Sequence, residues 1–516
     1  MRIACVGGGP GGLFFASLLR RNRPDAEVVV FERNRPNDTF GFGVVFSDAT
    51  LGTIDAADPI LGSALSELSK HWDKIEVRVH GVRERVGGMG MSAVVRRTLL
   101  GLLHDRAESA GVDLRFEHEV CDVGELADFD LVVVCDGANS RFRQRFVADY
   151  GPSVETSSAK FIWFGTTYPF EGLSFVHCES RHGAFAAHAY PISDSMSTFI
   201  VETDARTWAN AELDVFCTDM PAGPSDEKSK SYLDNLFGPE IDGHPLIGNN
   251  SRWGSFSTIR MRSWRRGNWV LLGDAAHTAH FSVGSGTKMA MEDAVGLVRA
   301  LAESSYDMPA ALELYEQRRR SSVEKIQDLA QPSLSWWERF RIYTRAFEPI
   351  QFGFHFLTRS VTRDKLRSRD HAYVERVDKW WHEHHDAEPL AAQWRARDFR
   401  LPARRVSVDS SGALTAHGAW LPMSPFDGRR PGSGVWIEAP PTETGLHRAS
   451  TQIRQAVGEA VPLIGVCGGT ALTRVLVAEE ARLVHSVPVV IAGAYDDDAA
   501  TTLILSGRAD LVATVT

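Results

Sequence analysis

The stretch VGGGPGGLFFA, Val6 to Ala16, leaves the chain few options. Apolar RIACV precedes it and apolar GLFFASLLRR follows, so the glycines form a turn between a buried strand and a buried helix. Within Gly7-x-Gly9-x-x-Gly12, Gly7 permits the tight turn, Gly9 lets the backbone approach a pyrophosphate, and Gly12 lets helix and strand pack closely. The helix N-terminus then turns its unpaired N–H groups toward phosphate. A second apolar run, EVVVFER, brings Glu32 to a strand end 20 residues beyond Gly12. A carboxylate there accepts from ribose hydroxyls and repels a 2′-phosphate. An adenine dinucleotide is expected, with NAD and FAD both open at this point.

Two distant segments decide between them. In DLVVVCDGANSRFR, Asp130 to Arg143, a strand of continuous valine runs into Asp136-Gly137, followed by Ser140 and Arg143. In GNWVLLGDAAHTAHFSVGSGTKMAMEDAVGLVRAL, Gly267 to Leu301, the strand WVLLG runs into Asp274, and Gly284-Ser285-Gly286 opens a long amphipathic helix. An acid at a strand end can hold a ribityl hydroxyl, and a helix N-terminus can stabilise negative charge at the N1–C2=O edge of a flavin. A nicotinamide enzyme needs neither, so FAD is the expected cofactor.

These three motifs resemble those of the class A flavoprotein monooxygenases, the FAD-dependent aromatic hydroxylases. The likeness covers about the first 330 residues. It implies that Gly7, Gly9, Pro10, Gly11 and Gly12 carry the pyrophosphate turn, and that Glu32 and Arg33 serve the ribose side. Arg96 matches an arginine that reaches FAD phosphate, with Arg97 a near-equal candidate; Gly43 and Val120 join the same cofactor set. Asp136 and Gly137 serve FAD and transient NAD(P)H, Gly273 and Asp274 the ribityl chain, and Gly284, Ser285, Gly286 and Thr287 the flavin edge. One departure narrows the likeness. Where the family commonly has Pro after GDAAH and Asn after the second glycine, this chain reads Phe281-Ser282 and Thr287-Lys288. HFSVGSGTKMAMEDA, FGFGVVFSDATLG (Phe40 to Gly52) and FAAHAYPISDSMSTFIVET are similar to a branch with salicylyl-CoA 5-hydroxylases, 2-aminobenzoyl-CoA monooxygenase/reductases and the tryptophan hydroxylase of violacein biosynthesis.

The expected architecture is α/β: a Rossmann-like FAD-binding domain of glutathione-reductase type, split into 1–157 and 255–330. A β-rich substrate domain is inserted at 158–254, where AKFIWFGTTYPF and STFIVET alternate. A helical segment follows at 331–402. Residues 403–516, ending in SVPVVIAGAYDDDAATTLILSGRADLVATVT, resemble the last βαβ of an old-yellow-enzyme-like barrel. An eight-fold barrel needs roughly 250 residues, so this stretch reads as a barrel remnant with a structural or interface role. A net charge of −10 argues against a nucleic-acid partner. No apolar run reaches membrane-spanning length, and six scattered cysteines without a CxxC pair fit a reducing, cytoplasmic setting. A homodimer is left open.

By the resemblance, the protein reduces FAD with NAD(P)H, lets O2 add at flavin C4a, and presents an electron-rich ring to the hydroperoxide. The cofactor carries the hard chemistry, so no nucleophile or metal is expected. His188, Tyr190 and His280 are the candidates for polarising substrate near the flavin, with a satisfied structural hydrogen bond as the plainer alternative for each. Phe42 to Phe46 are candidates for the pocket wall. The WWHEHH run at Trp380 to His385 lacks HExxH spacing and reads as a solvated helix end. Arg318, Arg319 and Arg320, with Arg339, Arg341 and Arg345, could grip the phosphates of a CoA thioester or lie on a solvated face. The expected substrate is an aromatic acyl-CoA thioester, hydroxylated or epoxidised. A free aromatic acid or indole, or a non-catalytic FAD-binding redox role, stands as the alternative. A flavin halogenase would carry a WxWxIP-type segment, which is absent.

Overall fold

The structure, a computed structural model, describes residues 1–39, 41–216, 224–284, 286–396 and 399–514. The chain divides into two compact units, Met1–Glu76 with Met89–Glu338, and Val77–Gly88 with Arg339–Thr516.

The first unit is built on a six-stranded sheet. Its strands run in the order Arg265–Arg266, Trp269–Leu271, Leu131–Val134, Arg2–Val6, Glu27–Phe31 and Asp113–Arg115. The last five pair in parallel. Parallel strands are covered on both faces and so read as unbroken Val, Ile and Leu runs, as LVVV and EVVVF do here. Register sets up the site. Val6 pairs with both Phe31 and Val134, and Val134 pairs with Leu271. Three strands therefore end level, and the three glycine motifs that follow them share one edge of the sheet. The helices Pro10–Asn22 and Gly286–Glu303 bury their apolar faces in the same core.

Five antiparallel strands form the second layer of this unit, in the order Leu246–Gly248, Lys160–Thr166, Ser197–Thr203, Gly183–Pro191, Leu173–Ser180. Its strands alternate with period two. Ile162, Phe164, Val176, Ala187, Phe199 and Val201 pack a core against the helix Glu227–Phe237 on one face. The opposite set, Phe161, Trp163, Phe175, His188, Tyr190 and Ile200, turns toward the glycine motifs and lines the cavity described below. A small sheet of Gly43–Ser47, Met91–Val95 and Lys70–Trp72 stands beside it.

The second unit carries an eight-stranded sheet, six of whose strands pair in parallel from Arg405–Val408 through Met423–Pro425. The helices Leu446–Gly458, Ala471–Glu479 and Asp497–Leu505 alternate with those strands. The strand order ends at Ala419–Leu421 and Met423–Pro425, which do not pair with each other, so among the described residues the barrel-like sheet stays open. Its helical part, Phe340–Ala346, Pro349–Leu357 and His371–His385, carries the WWHEHH run on the last turns of the third helix. The hairpin of residues 77–88 belongs to this unit. Gly87 N donates to Asp370 Oδ2 at 2.8 Å, Arg376 donates to Glu84 at 3.1 Å, and His80 Nε2 lies 2.6 Å from the Thr344 carbonyl.

Candidate functional site

The glycine turn follows the division of labour its spacing predicts. Gly7 sits at φ +115°, and a Cβ there would lie 2.3 Å from the Cys135 carbonyl oxygen. A Cβ on Gly12 would lie 2.4 Å from the Gly7 carbonyl oxygen, so this glycine holds the helix against the strand. A Cβ on Gly9 would meet nothing within 4 Å: the backbone faces open space over the helix N-terminus, which no side chain caps. Glu32 closes the turn from below. Its carboxylate accepts from Gly8 N at 2.7 Å and from Asn34 N and Nδ2 at 2.8 and 2.7 Å.

The other two motifs are tied to each other. Arg143 donates to the Ala275 carbonyl at 3.0 Å and to the Ala138 carbonyl, spanning from the Asp136-Gly137 turn to the Gly273-Asp274 turn. The Gly273 turn is held from its other side by Asp293, in the helix Gly286–Glu303. That carboxylate accepts from Gly273 N at 3.1 Å, contacts His277 Nε2 at 2.7 Å, and accepts from Arg319 Nε at 2.7 Å. Burial pushes the Asp293 carboxyl up, but His277 and Arg319 together outweigh it and hold it below its ordinary value.

A cavity of about 370 Å³ runs through these turns. At one end it is lined by Gly9, Pro10, Gly11, Gly12, Gly43, Arg96, Gly137, Gly273, Asp274, Gly284, Gly286 and Thr287. At the other it opens into a box of Phe161, Trp163, Leu173, Phe175, Phe256 and Phe281, with His188, Tyr190 and Ile200 on the sheet wall. Gly7, Glu32, Arg33, Val120 and Asp136 stand behind the lining rather than in it. Arg33 is exposed beside Glu119, and Val120 is buried in the main core. Ser285 lies outside the described residues. Of the Phe42 to Phe46 segment, Gly43, Val44 and Val45 line the cavity, while Phe42 packs with Trp72 and Tyr190.

At the glycine end the buried atoms Arg96 Nε and Asp136 Oδ1 have no hydrogen-bond partner among the described residues. Burial pushes the Arg96 guanidinium down, against the pull of Tyr190 and Asp274. Asp274 is reached by solvent within the cleft yet enclosed by protein, and that enclosure raises its carboxyl despite His277, Arg96 and Arg143. Unsatisfied buried groups of this kind demand a partner. An open helix N-terminus, an arginine whose Nε is unpaired and two acids at strand ends fit the phosphates and hydroxyls of FAD.

The three candidate polarising groups separate. His188 and Tyr190 line the cavity; His280 stands behind it. The Tyr190 hydroxyl donates to the Gly43 carbonyl at 3.3 Å, and burial pushes it up to about 12 in spite of Thr198 and Arg96. His188 and His280 meet on a residue the sequence reading passed over, Glu202. Its Oε2 lies 2.7 Å from His188 Nε2 and its Oε1 3.3 Å from His280 Nε2, short contacts that stand off the ideal hydrogen-bond axis. All three side chains are almost wholly out of solvent. Burial pushes Glu202 up, yet His280 and His188 bring it down to about 2. The only sequence signal for Glu202 was an acid on the inward-facing phase of STFIVET.

The arginine run is corrected by its partners. Arg319 belongs to Asp293, with Glu292 at 3.2 Å; Arg320 pairs with Glu316 and donates to the Met261 carbonyl at 2.7 Å; Arg318 pairs with Glu303 at 2.8 Å on the surface. Two of the three are therefore internal braces of the first unit, not a phosphate grip.

The fold and site together define an FAD-dependent monooxygenase. Residues 1–330 match the FAD binding domain family, and the chain belongs to it. It is 67% identical to a salicyloyl-CoA 5-hydroxylase from Streptomyces sp. over 99% of both chains. It is also 38% identical to a 3-hydroxy-4-methyl-anthranilyl-[aryl-carrier protein] 5-monooxygenase of Streptosporangium sibiricum, over 66% of this chain and 90% of that one. Protodeoxyviolaceinate monooxygenase of Chromobacterium violaceum is 34% identical over 66% and 89%. Among solved structures, 2-methyl-3-hydroxypyridine-5-carboxylic acid oxygenase superposes with TM-score 0.53 at 19% identity, covering 68% of this chain and 97% of that one, which shows a shared fold. FAD is the cofactor, with NAD(P)H and O2 as co-substrates of the family. Among the described residues no helix is long and apolar enough to cross a membrane.

Proposed function

We propose that the protein hydroxylates the ring of an aryl-CoA thioester of the salicyloyl type. The observation that carries this is one continuous cavity joining the cofactor cradle to an aromatic box, in a chain 67% identical end to end to a salicyloyl-CoA 5-hydroxylase. Bound FAD would supply electron transfer from NAD(P)H and the activation of O2.

The chain's own part is binding, orientation and exclusion of water. The N–H groups at the start of the helix Pro10–Asn22 and the Arg96 guanidinium would hold the FAD phosphates. Asp274 would accept from the ribityl chain, and Gly286 and Thr287, at the start of the helix Gly286–Glu303, would face the flavin edge. Asp136 and Gly137 would serve the cofactor side of the same cradle. Phe161, Trp163, Phe175 and Phe281 would hold a flat ring and keep water from it. His188 would hydrogen-bond the ring's polar substituent. The phosphate grip for CoA does not fall on Arg319 or Arg320, whose partners are internal.

The test is turnover under labelled oxygen with salicyloyl-CoA and salicylate side by side. The thioester should speed flavin reduction and gain one labelled oxygen atom on the ring. Equal stimulation by both, or NAD(P)H oxidation that yields only peroxide, would overturn the reading.

A further inference from the structure

The core face of the antiparallel layer ends in a second cavity. Among the described residues it measures about 500 Å³, and Trp208, Trp253, Phe216 and Leu213 form its apolar wall. Trp208 and Trp253 meet edge to face, with ring centroids 6.4 Å apart. The Trp253 indole N–H already donates to Ser229 Oγ at 2.7 Å. That of Trp208 is buried with no hydrogen-bond partner among the described residues, and a buried donor of this kind demands one.

Lys160 supplies the charge. Its Nζ donates to Ser255 Oγ at 2.8 Å and lies 5.0 Å from the centroid of the Trp208 ring. No carboxylate pairs with it among the described residues. Asp214 is the one acid in the lining, and it is exposed. Indole rings, an unpaired N–H and an ammonium without a counter-ion suit a flat heteroaromatic base carrying a phosphate.

The position of the cavity relates it to the aromatic box. Side chains alternate along Lys160–Thr166, so Lys160 lines the second cavity while Phe161 lines the box on the other face. The facing segment repeats this: Ser255 lines the second cavity and Phe256 the box. Between them Phe161 and Gly254 exchange two backbone hydrogen bonds of 2.9 Å each. The cavities therefore stand back to back across one thickness of strand, about 10 Å. The pantetheine arm of CoA has as many backbone bonds as about four residues and reaches about 14 Å when extended, enough to round that wall.

We propose that this cavity seats the adenosine 3′-phosphate end of the CoA thioester, with the base against Trp208 and Trp253 and the phosphate on Lys160. This rests on the aryl-CoA reading above. The Trp208 N–H donates to a ring nitrogen of adenine, and Asp214 accepts from its amino group. The arm rounds the Phe161–Gly254 bridge and brings the aryl ring into the box. CoA is thus told from shorter thioesters by binding, away from the reacting atoms.

The experiment uses the FAD-loaded enzyme with salicyloyl-CoA, its 3′-dephospho form and salicyloyl-pantetheine, with adenosine 3′,5′-bisphosphate as a competing probe. In wild type, losing the 3′-phosphate should lower kcat/KM about ten- to a hundredfold, through KM, and the bisphosphate should compete with salicyloyl-CoA. Lys160→Gln should lower kcat/KM for salicyloyl-CoA about tenfold, while its values for the dephospho and pantetheine thioesters stay within about twofold of wild type. Trp208→Phe keeps a ring but removes the donor, and should weaken the bisphosphate about three- to tenfold in equilibrium dialysis. Equal kcat/KM for the CoA and dephospho thioesters in wild type, or an equal loss on both in Lys160→Gln, would overturn the proposal. If Trp208→Phe fails to fold, Lys160→Gln decides alone. If wild type oxygenates salicyloyl-CoA and the Lys160 result is negative, this inference alone has failed. If wild type does not oxygenate salicyloyl-CoA, the aryl-CoA reading has failed and takes this inference with it.

Discussion

Replacing Asp293 with Ala should release the flavin site from its own core. The carboxylate has 0% exposure and three partners: Gly273 N, His277 Nε2 and Arg319 Nε. Its loss leaves the Arg319 side chain, 12% exposed, with Glu292 as its remaining acid, and strips the Gly273 N–H of its acceptor. Breaking a buried pair by removing one partner costs about 3–5 kcal/mol. Because Glu292 stays within reach of Arg319, the lower end applies, about 3 kcal/mol. The assay is urea denaturation of the FAD-loaded protein followed by the rise in flavin fluorescence on release, which reports the first unit. Arg319→Met alone should cost a similar amount, and the double variant should cost at least about 1 kcal/mol less than the sum, since neither partner is then left alone. The pH dependence has a definite sign. The native Asp293 carboxyl lies below its ordinary value, so its contribution is full above the ordinary carboxylate range and is lost as pH falls through that range and below. Asp293→Ala should therefore show a flatter acid limb than wild type. A cost under about 1 kcal/mol, or strict additivity of the pair, would refute the argument.

Glu32→Ala frees the Gly8 and Asn34 N–H groups and should weaken FAD binding by about 1–3 kcal/mol, up to about a hundredfold in Kd, while turnover at saturating FAD largely returns; fluorescence titration of the apoprotein checks the first and steady-state assay the second. Arg96→Met should separate stability from binding. The apoprotein should gain about 1–3 kcal/mol by losing a guanidinium whose Nε is buried without a partner, while FAD affinity falls at least about tenfold; a less stable apoprotein would contradict this. Chromatography of heat-released cofactor should find one FAD per chain and no FMN, because the C-terminal sheet does not close into a barrel; stoichiometric FMN would contradict that reading.

The parts of the site legible in the sequence are those the backbone imposes. Gly7 and Gly12 have no room for a Cβ, and an acid at a strand end shows as an interruption of a valine run. Such constraints are local and leave fixed spacings. The His188–Glu202–His280 array left no spacing to read, because its members come from two strands and a loop and meet only through register. Arg319 was legible as a charge but not as a buried one, since its partner Asp293 sits 26 residues earlier on another helix. The fold class followed from alternation and glycine turns. The allegiance of residues 77–88 did not, because nothing local distinguishes a hairpin that packs with its own neighbours from one that packs with residues some 300 positions later.

That hairpin bears on how the chain can be cut. Val77, Val79 and Val86 are 0–2% exposed, and Glu84, Gly87 and His80 are bonded to residues of the 339–516 stretch. A stop codon after residue 338 would therefore not yield a clean monooxygenase half. It would take from Gly87 N, Glu84 and His80 the partners they have in that stretch. During synthesis the same hairpin leaves the ribosome long before the residues it binds, so the second unit is completed only when translation is nearly over. Anyone seeking the isolated first unit would do better to replace residues 77–88 with a short polar turn than to truncate alone.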